Sequence, residues 1–196
     1  MQHSCRASGE GRVGLPAGSD DVQYEVLTPL DVKPGRYSVR VAAATTAVPK
    51  AGSVTCEVDV PDFAHAGLSL SGVVLTAAPG SAAAPRDALR SLLAIMPTSR
   101  REFAPSDKVT ALVRAYQGGS GVTRPVTLAI AIVDSTEATV FQAREMLGSD
   151  RFAKDRAAEY RLELPLHRLG VGPFLLTIDA TRGKETTRRA VRFDVR

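Results

Sequence analysis

The chain has 196 residues, room for one large domain or two modest ones, and its 44% hydrophobic content is ordinary for a globular core. Its 25 Lys and Arg against 21 Asp and Glu leave a net charge of +4, with the signs interleaved and only short basic pairs at Arg100-Arg101 and Arg188-Arg189. This is the pattern of solvated strand faces and gives no expectation of nucleic acid as a partner; with no Trp and 5% aromatics it also argues against a large aromatic-lined ligand site.

Residues 1–20, rich in Gly, Ser and charge and without periodicity, read as a disordered tail. They contain no apolar core of signal-peptide length, and no run in the chain approaches a membrane span. If Met1 is the true start, the chain reads as soluble and unexported. Val22–Leu27 alternates weakly as a strand ending at Thr28-Pro29. Lys33-Pro34-Gly35 is a turn, after which Tyr37, Val39 and Val41 point one way and Ser38 and Arg40 the other, as in a half-buried antiparallel strand. Beyond the connector TTAVPKAGS, Val54–Val60 alternates again and stops at Pro61-Asp62. Cys56 shares a face with Val54, Val58 and Val60 and reads as a small buried apolar residue; Cys5 lies in the tail. Two cysteines make neither a metal site nor a dense disulfide framework, and nothing in their spacing requires them to pair. The sequence PDFAH reads as a hinge, with residues 63–67 as a linker.

From Leu68 a second domain begins. Leu68–Thr76 is a strand with Gly72 inside it, the signature of a bulge. AAPGSAAAPRD reads as a surface loop. Ala88–Met96 fits either a helical stripe (Leu89, Leu92, Leu93, Met96) or a short strand before Pro97. Val109–Tyr116 is a strand, Gly118-Gly119-Ser120-Gly121 a flexible hairpin loop, and Val126–Val133 a near-continuous apolar run suited to a central strand. Thr139–Met146, Tyr160–Leu164, Phe174–Thr181 and Thr187–Val195 follow, with Arg182-Gly183-Lys184 turning the last hairpin. Seven or eight short strands in about 125 residues, separated by turn signals, predict an all-β, immunoglobulin-like antiparallel β-sandwich.

The closing strands have an earlier counterpart. Tyr160 falls on Tyr24, Pro165 on Pro29 and Leu166 on Leu30. After one extra residue Gly172 falls on Gly35, Phe174 on Tyr37, Leu176 on Val39, Ile178 on Val41, Val191 on Val54, Phe193 on Cys56 and Val195 on Val58. About ninety residues precede Tyr160 within its own domain, whereas 23 precede Tyr24. Residues 21–62 are therefore expected to be the C-terminal part of a truncated immunoglobulin-like domain, the alternative being a small hairpin that packs elsewhere, and 68–196 a complete one. Tyr37 has the hydroxyl for a corner hydrogen bond that Phe174 lacks.

The runs LDVKPGRYSVRVAA…GSVTCEVDVPDF…LSLSGVVL, IMPTSRREFAPSDKVTALVRAYQGG and GPFLLTIDATRGKETTRRAVRFDVR resemble the C-terminal region of bacterial proteins, of acidobacterial type, that carry a von Willebrand factor A domain upstream. The resemblance spans residues 20–196 and rests on turns and alternating strands. It implies immunoglobulin-like sandwiches behind a signal peptide and an A domain, hence an extracytoplasmic location, and it makes IMPTSRREF a strand. The A domain's metal-binding Asp-x-Ser-x-Ser is not present; Asp134-Ser135-Thr136 reads as a simple turn.

No constellation supports catalysis, a cofactor or a metal. His3, His65 and His167 have no partners at ligand spacing, Ser69 and Ser71 lack a nucleophile elbow, and Asp62 could pair with His65 only within the hinge. QGGSG is followed by no helix or Lys to hold phosphate. The expected function is a non-enzymatic structural or protein-interaction module, binding protein through a strand edge or through the loop GSDRFAKDRAAE at Arg151, Phe152 and Lys154. The alternative, an accessory carbohydrate- or surface-binding sandwich of a secreted enzyme, needs aromatic residues on one face, for which Tyr116, Phe141, Phe152 and Tyr160 are the candidates. A pocket with clustered carboxylates would revive an enzyme.

Overall fold

The computed structural model describes residue 8 and residues 24–45, 50–78, 82–84, 89, 95–152 and 155–196. The tail apart from Ser8, Cys5, Lys154 and most of Ala88–Met96 lie outside the described residues. The expected all-β sandwich is present. Strands run β1 (Tyr24–Val26), β2 (Gly35–Thr45), β3 (Lys50–Val60), β4 (Leu68–Leu70), β5 (Val74–Ala78), β6 (Ala82–Ala84) and β7 (Glu102–Phe103). They continue with β8 (Lys108–Gln117), β9 (Val126–Val133), β10 (Thr139–Leu147), β11 (Ala157–Glu163), β12 (Gly172–Arg182) and β13 (Glu185–Val195).

Two sheets make the sandwich. One has the order β10-β9-β12-β13-β7; in the other β8 lies between β11 and the pair β4 and β5. Alternation decides which side chains meet between them. Val109, Ala111, Val113 and Ala115 of β8 face Leu128, Ile130 and Ile132 of β9 and Leu176 and Ile178 of β12, all buried in one core that Phe103, Phe174 and Phe193 fill out. β9 is the central strand that its apolar run implies, bonded antiparallel to β10 on one side and β12 on the other.

The bulge expected at Gly72 is there. Leu70 pairs with Ala115 and Val74 with Leu112, so three residues oppose two, and Leu68–Thr76 is divided into β4 and β5. Ser71 repairs the ladder at this point: its N–H donates to the Arg114 carbonyl (2.9 Å) and its Oγ accepts from the Arg114 N–H (3.0 Å). The segment IMPTSRREF contributes only the two-residue β7, which pairs parallel with the end of β13. Its earlier part runs as extended chain, with the Thr98 N–H on the Leu75 carbonyl at 2.8 Å.

Several expectations are corrected. Gly118–Gly121 is no hairpin loop, because β8 and β9 belong to opposite sheets and the connection crosses between them. The Gln117 side chain closes it, donating to the Arg124 carbonyl (2.7 Å) and accepting from the Arg124 N–H (3.0 Å). Part of AAPGSAAAPRD is strand: Ala82–Ala84 pairs parallel with β1. β1 is further fastened by Glu25, whose Oε1 accepts from Thr98 Oγ1 (2.7 Å), Ser99 Oγ (2.8 Å) and the Ser99 N–H. PDFAH forms a hydrogen-bonded turn. The Asp62 carboxylate accepts from the N–H groups of Ala64 and His65 and meets the His65 ring at 2.9 Å, and Phe63 packs against Tyr116 with the rings tilted by 34° and their centroids 4.4 Å apart. The Gly118 and Gly119 N–H groups bond to the carbonyls of Gly67 and Ala64 at 2.9 and 2.7 Å, seating this turn on the crossing loop.

Two predictions follow from these seats. A Cβ on Gly118 would collide with the Ala66 carbonyl oxygen and meet that of Ala64 at 2.9 Å. Gly118→Ala is expected to cost about 1–3 kcal/mol, as overpacking does, read as a lower urea midpoint at unchanged slope. For Glu25, burial opposes ionisation, but the hydrogen bonds from Thr98 and Ser99 outweigh it and hold the carboxyl below its ordinary range. A carboxyl depressed on folding adds stability above its unfolded pKa and loses it as pH falls through the folded one. The Ser99 amide resonance should therefore shift and the unfolding midpoint fall below about pH 4; in Glu25→Gln the Ser99 shift should vanish and the acid dependence of the midpoint weaken, the part due to Asp62 and Asp134 remaining.

Candidate interaction surface

β2 and β3 form a two-stranded ribbon, and its register reproduces that of β12 and β13. Each hairpin pairs eleven residues with eleven: Gly35 lies opposite Val60 and Thr45 opposite Lys50, as Gly172 lies opposite Val195 and Arg182 opposite Glu185. Both begin on a glycine at positive φ, +151° at Gly35 and +146° at Gly172, where a side chain would be strained. The internal repeat is thus a repeat of structure.

The pairing corrects the sequence alignment in its last strand. Four residues separate Thr45 from Lys50 but only two separate Arg182 from Glu185, so β3 is displaced by two positions. Val60 corresponds to Val195, Val58 to Phe193 and Cys56 to Val191. A shift of two leaves every side chain on its original face.

That face is apolar in both copies and buried in one. Tyr37 opposes Val58, Val39 opposes Cys56 and Val41 opposes Val54. In the second copy Ile178 is 1% exposed and Phe193 1%; in the first their counterparts Val41 and Val58 are 57% and 37% exposed. Cys56 is exposed with a free thiol, correcting its reading as a buried residue. It is uncovered because β2 and β3 pair with each other and with no further strand among the described residues. Tyr37 supplies the corner bond anticipated for it, its hydroxyl donating to the Lys33 carbonyl at 2.8 Å.

The loop residues fare differently. Phe152 is a core side chain, 7% exposed, and so is corrected as a surface contact; an aromatic ring in this short turn gains more by plugging the sandwich end than by facing water. Arg151 is exposed, with its guanidinium donating to the Glu159 carbonyl at 2.7 Å, and Lys154 is outside the described residues. The four aromatic candidates for a sugar platform share no exposed face: Tyr116 is under Phe63, Phe152 is buried, and Phe141 and Tyr160 pack against the core.

The outer surface of the five-stranded sheet carries a shallow depression of about 490 Å3 over Ala129 and Ala131, rimmed by Thr139, Gln142, Arg144 and Asp179. Its one carboxylate, Asp179, is held by Arg188 through two bonds of 2.6 and 2.9 Å. The Ser69 hydroxyl is buried without a hydrogen-bond partner, and Ser71 donates to the Gly72 carbonyl, so neither lies beside a base. Asp134 accepts from the Thr136 N–H and hydroxyl and the Ala138 N–H, which makes it a turn; these bonds lower its pKa, led by the Thr136 hydroxyl. Among the described residues no three His, Cys, Asp or Glu side chains are grouped to hold a metal ion, and no helix is long and apolar enough to cross a membrane.

No family model and no curated protein sequence matches the chain. Among solved structures it is similar to the C-terminal domain of Wzt at 11% identity and a TM-score of 0.44, over 84% of this chain and 82% of that one. It is also similar to dimeric latent PorU from Porphyromonas gingivalis at 16% identity and a TM-score of 0.37, over 84% of this chain and 12% of that one.

The paired exposures give a direct prediction. Val41→Ala is expected to change stability by less than about 0.5 kcal/mol, whereas Ile178→Ala, its structural counterpart, should cost about 2–5 kcal/mol; urea unfolding of the two variants measures both.

Proposed function

We propose that the chain is a non-enzymatic structural and protein-interaction module of a larger bacterial protein with a von Willebrand factor A domain, working outside the cytoplasm. The sandwich supplies a rigid body, and the β2–β3 ribbon is its binding element. The observation carrying this reading is the uncovered apolar face of that ribbon, set against the burial of its counterpart in β12–β13. Isolated two-stranded ribbons are marginal in water, and a contiguous exposed apolar stripe marks an interaction site. A second reading, an accessory carbohydrate- or surface-binding sandwich, draws on the outer depression, where the side chains of Gln142 and Arg144 have no hydrogen-bond partner among the described residues. It lacks the stacking aromatics that would favour it over the first.

Amide hydrogen exchange on the purified chain tests the first reading. The β2 and β3 amides should exchange at least about a hundredfold faster than those of β12 and β13, since local opening spans the range from nearly zero to the global stability. Equal protection of the two hairpins would mean that the chain covers the face itself, and the interaction reading would be lost.

A further inference from the structure

The second copy of the hairpin shows what the first one is missing. β12 is bonded along its far edge to β9, antiparallel, with Leu176 opposite Ile132, Ile178 opposite Ile130 and Ala180 opposite Leu128. The corresponding residues of β2 are Val39, Val41 and Ala43, and no strand lies beside that edge among the described residues. The outward-facing side chains add a second requirement. β2 turns Arg36 and Arg40 to the outer face, where β3 places Asp59 opposite Arg36, Glu57 opposite Ser38 and Thr55 opposite Arg40, so that the acidic side chains lie on the β3 side and the basic ones along the open edge of β2. The Arg36 side chain has no hydrogen bond or ion pair with any described residue, and that of Arg40 reaches only Ser53 Oγ, at 3.4 Å, among them. The β2 side of the ribbon is therefore basic on one face and apolar on the other.

Resting on the interaction reading above, we propose that the free edge of β2 takes up one extended strand of a partner protein. This strand runs antiparallel to β2, with aliphatic residues alternating with acidic ones. Its backbone bonds to the open edge, its aliphatic side chains continue the stripe of Val39 and Val41 as Ile132 and Ile130 do beside β12, and its carboxylates meet Arg36 and Arg40 across the strands. The chemistry is that of strand addition, with the sequence pattern of the guest set by the two faces of the host.

Peptides built on β9 supply the probe. By the β12–β9 register, position 131 of such a strand falls opposite Arg40, and continuing the register puts position 135 opposite Arg36. Synthetic peptides of residues 126–135 would carry either Glu or Lys at both positions, in place of Ala131 and Ser135. They would be added to the chain bearing Cys5→Ser, with maleimide labelling of Cys56 as the readout. The Glu peptide should slow labelling in a saturable way, at about tenfold lower concentration than the Lys peptide, and Val41→Lys should abolish the effect. Arg40→Glu, a change on the exposed outer face, should bring the two peptides level or reverse their order. Three results would overturn the proposal: no protection of Cys56 by the Glu peptide, protection indifferent to peptide charge, or protection of Cys56 by self-association of the chain alone. If the ribbon exchanges fast but no peptide protects it, the strand proposal fails and the interaction reading stands.

Discussion

The sandwich turns on the amide of Gln117. This side chain is fully buried, and its three hydrogen bonds are directed at segments that would otherwise be free to part. Its carbonyl accepts from the Arg124 N–H and from the Arg182 guanidinium (2.9 Å), and its amino group donates to the Arg124 carbonyl. Its main chain exchanges bonds with Arg156, whose positive φ of 58° turns the chain into β11. The end of one sheet, the loop that leaves it, and the last turn of β12 in the other sheet are thereby locked together. Arg182 in turn reaches Glu185 across the tip of the final hairpin. A buried polar group is stabilising only when each of its atoms is satisfied, and a network of this kind fails as a unit.

Against that closed body the β2–β3 ribbon stands out by what it lacks. An antiparallel hairpin has one apolar face and two edges to settle. In β12–β13 the face is buried by the opposing sheet, one edge is bonded to β9 and the other to β7. In β2–β3 the two strands bond to each other, while the short β1 that precedes them is committed elsewhere, paired with β6 and fastened by Glu25 to Thr98 and Ser99. The same local sequence logic thus yields a core element in one place and an open surface in the other, and tertiary context alone makes the difference.

Much of the sandwich was legible because period-2 alternation and turn residues act locally. Val126–Val133 has the bounds its apolar run implies, Gly72 marks a bulge, and Tyr37 makes its corner bond. What escaped depends on partners distant in sequence. Nothing within QGGSG says whether its flanking strands pair with each other or with opposite sheets; the choice rests on Gln117 meeting Arg124 and Arg182. Ala82–Ala84 has poor strand propensity and becomes a strand only because β1 lies beside it. Alternation placed Cys56 on the apolar face correctly, but a pattern specifies which residues share a face and not whether anything lies against it. Phe152 erred in the other direction, since its charged neighbours hid a ring that the end of the sandwich needed.

The Tyr37 hydroxyl on the Lys33 carbonyl bears on how the ribbon meets a guest. That bond, made four residues back along the chain, fixes the bend into β2 from within the hairpin itself. The counterpart Phe174 has no such bond and relies on its stack with Phe193, 5.6 Å between centroids, inside the finished core. The first hairpin therefore sets its own starting angle before anything covers it. Less backbone freedom is left to lose on docking, so a larger share of the contact energy is retained as affinity.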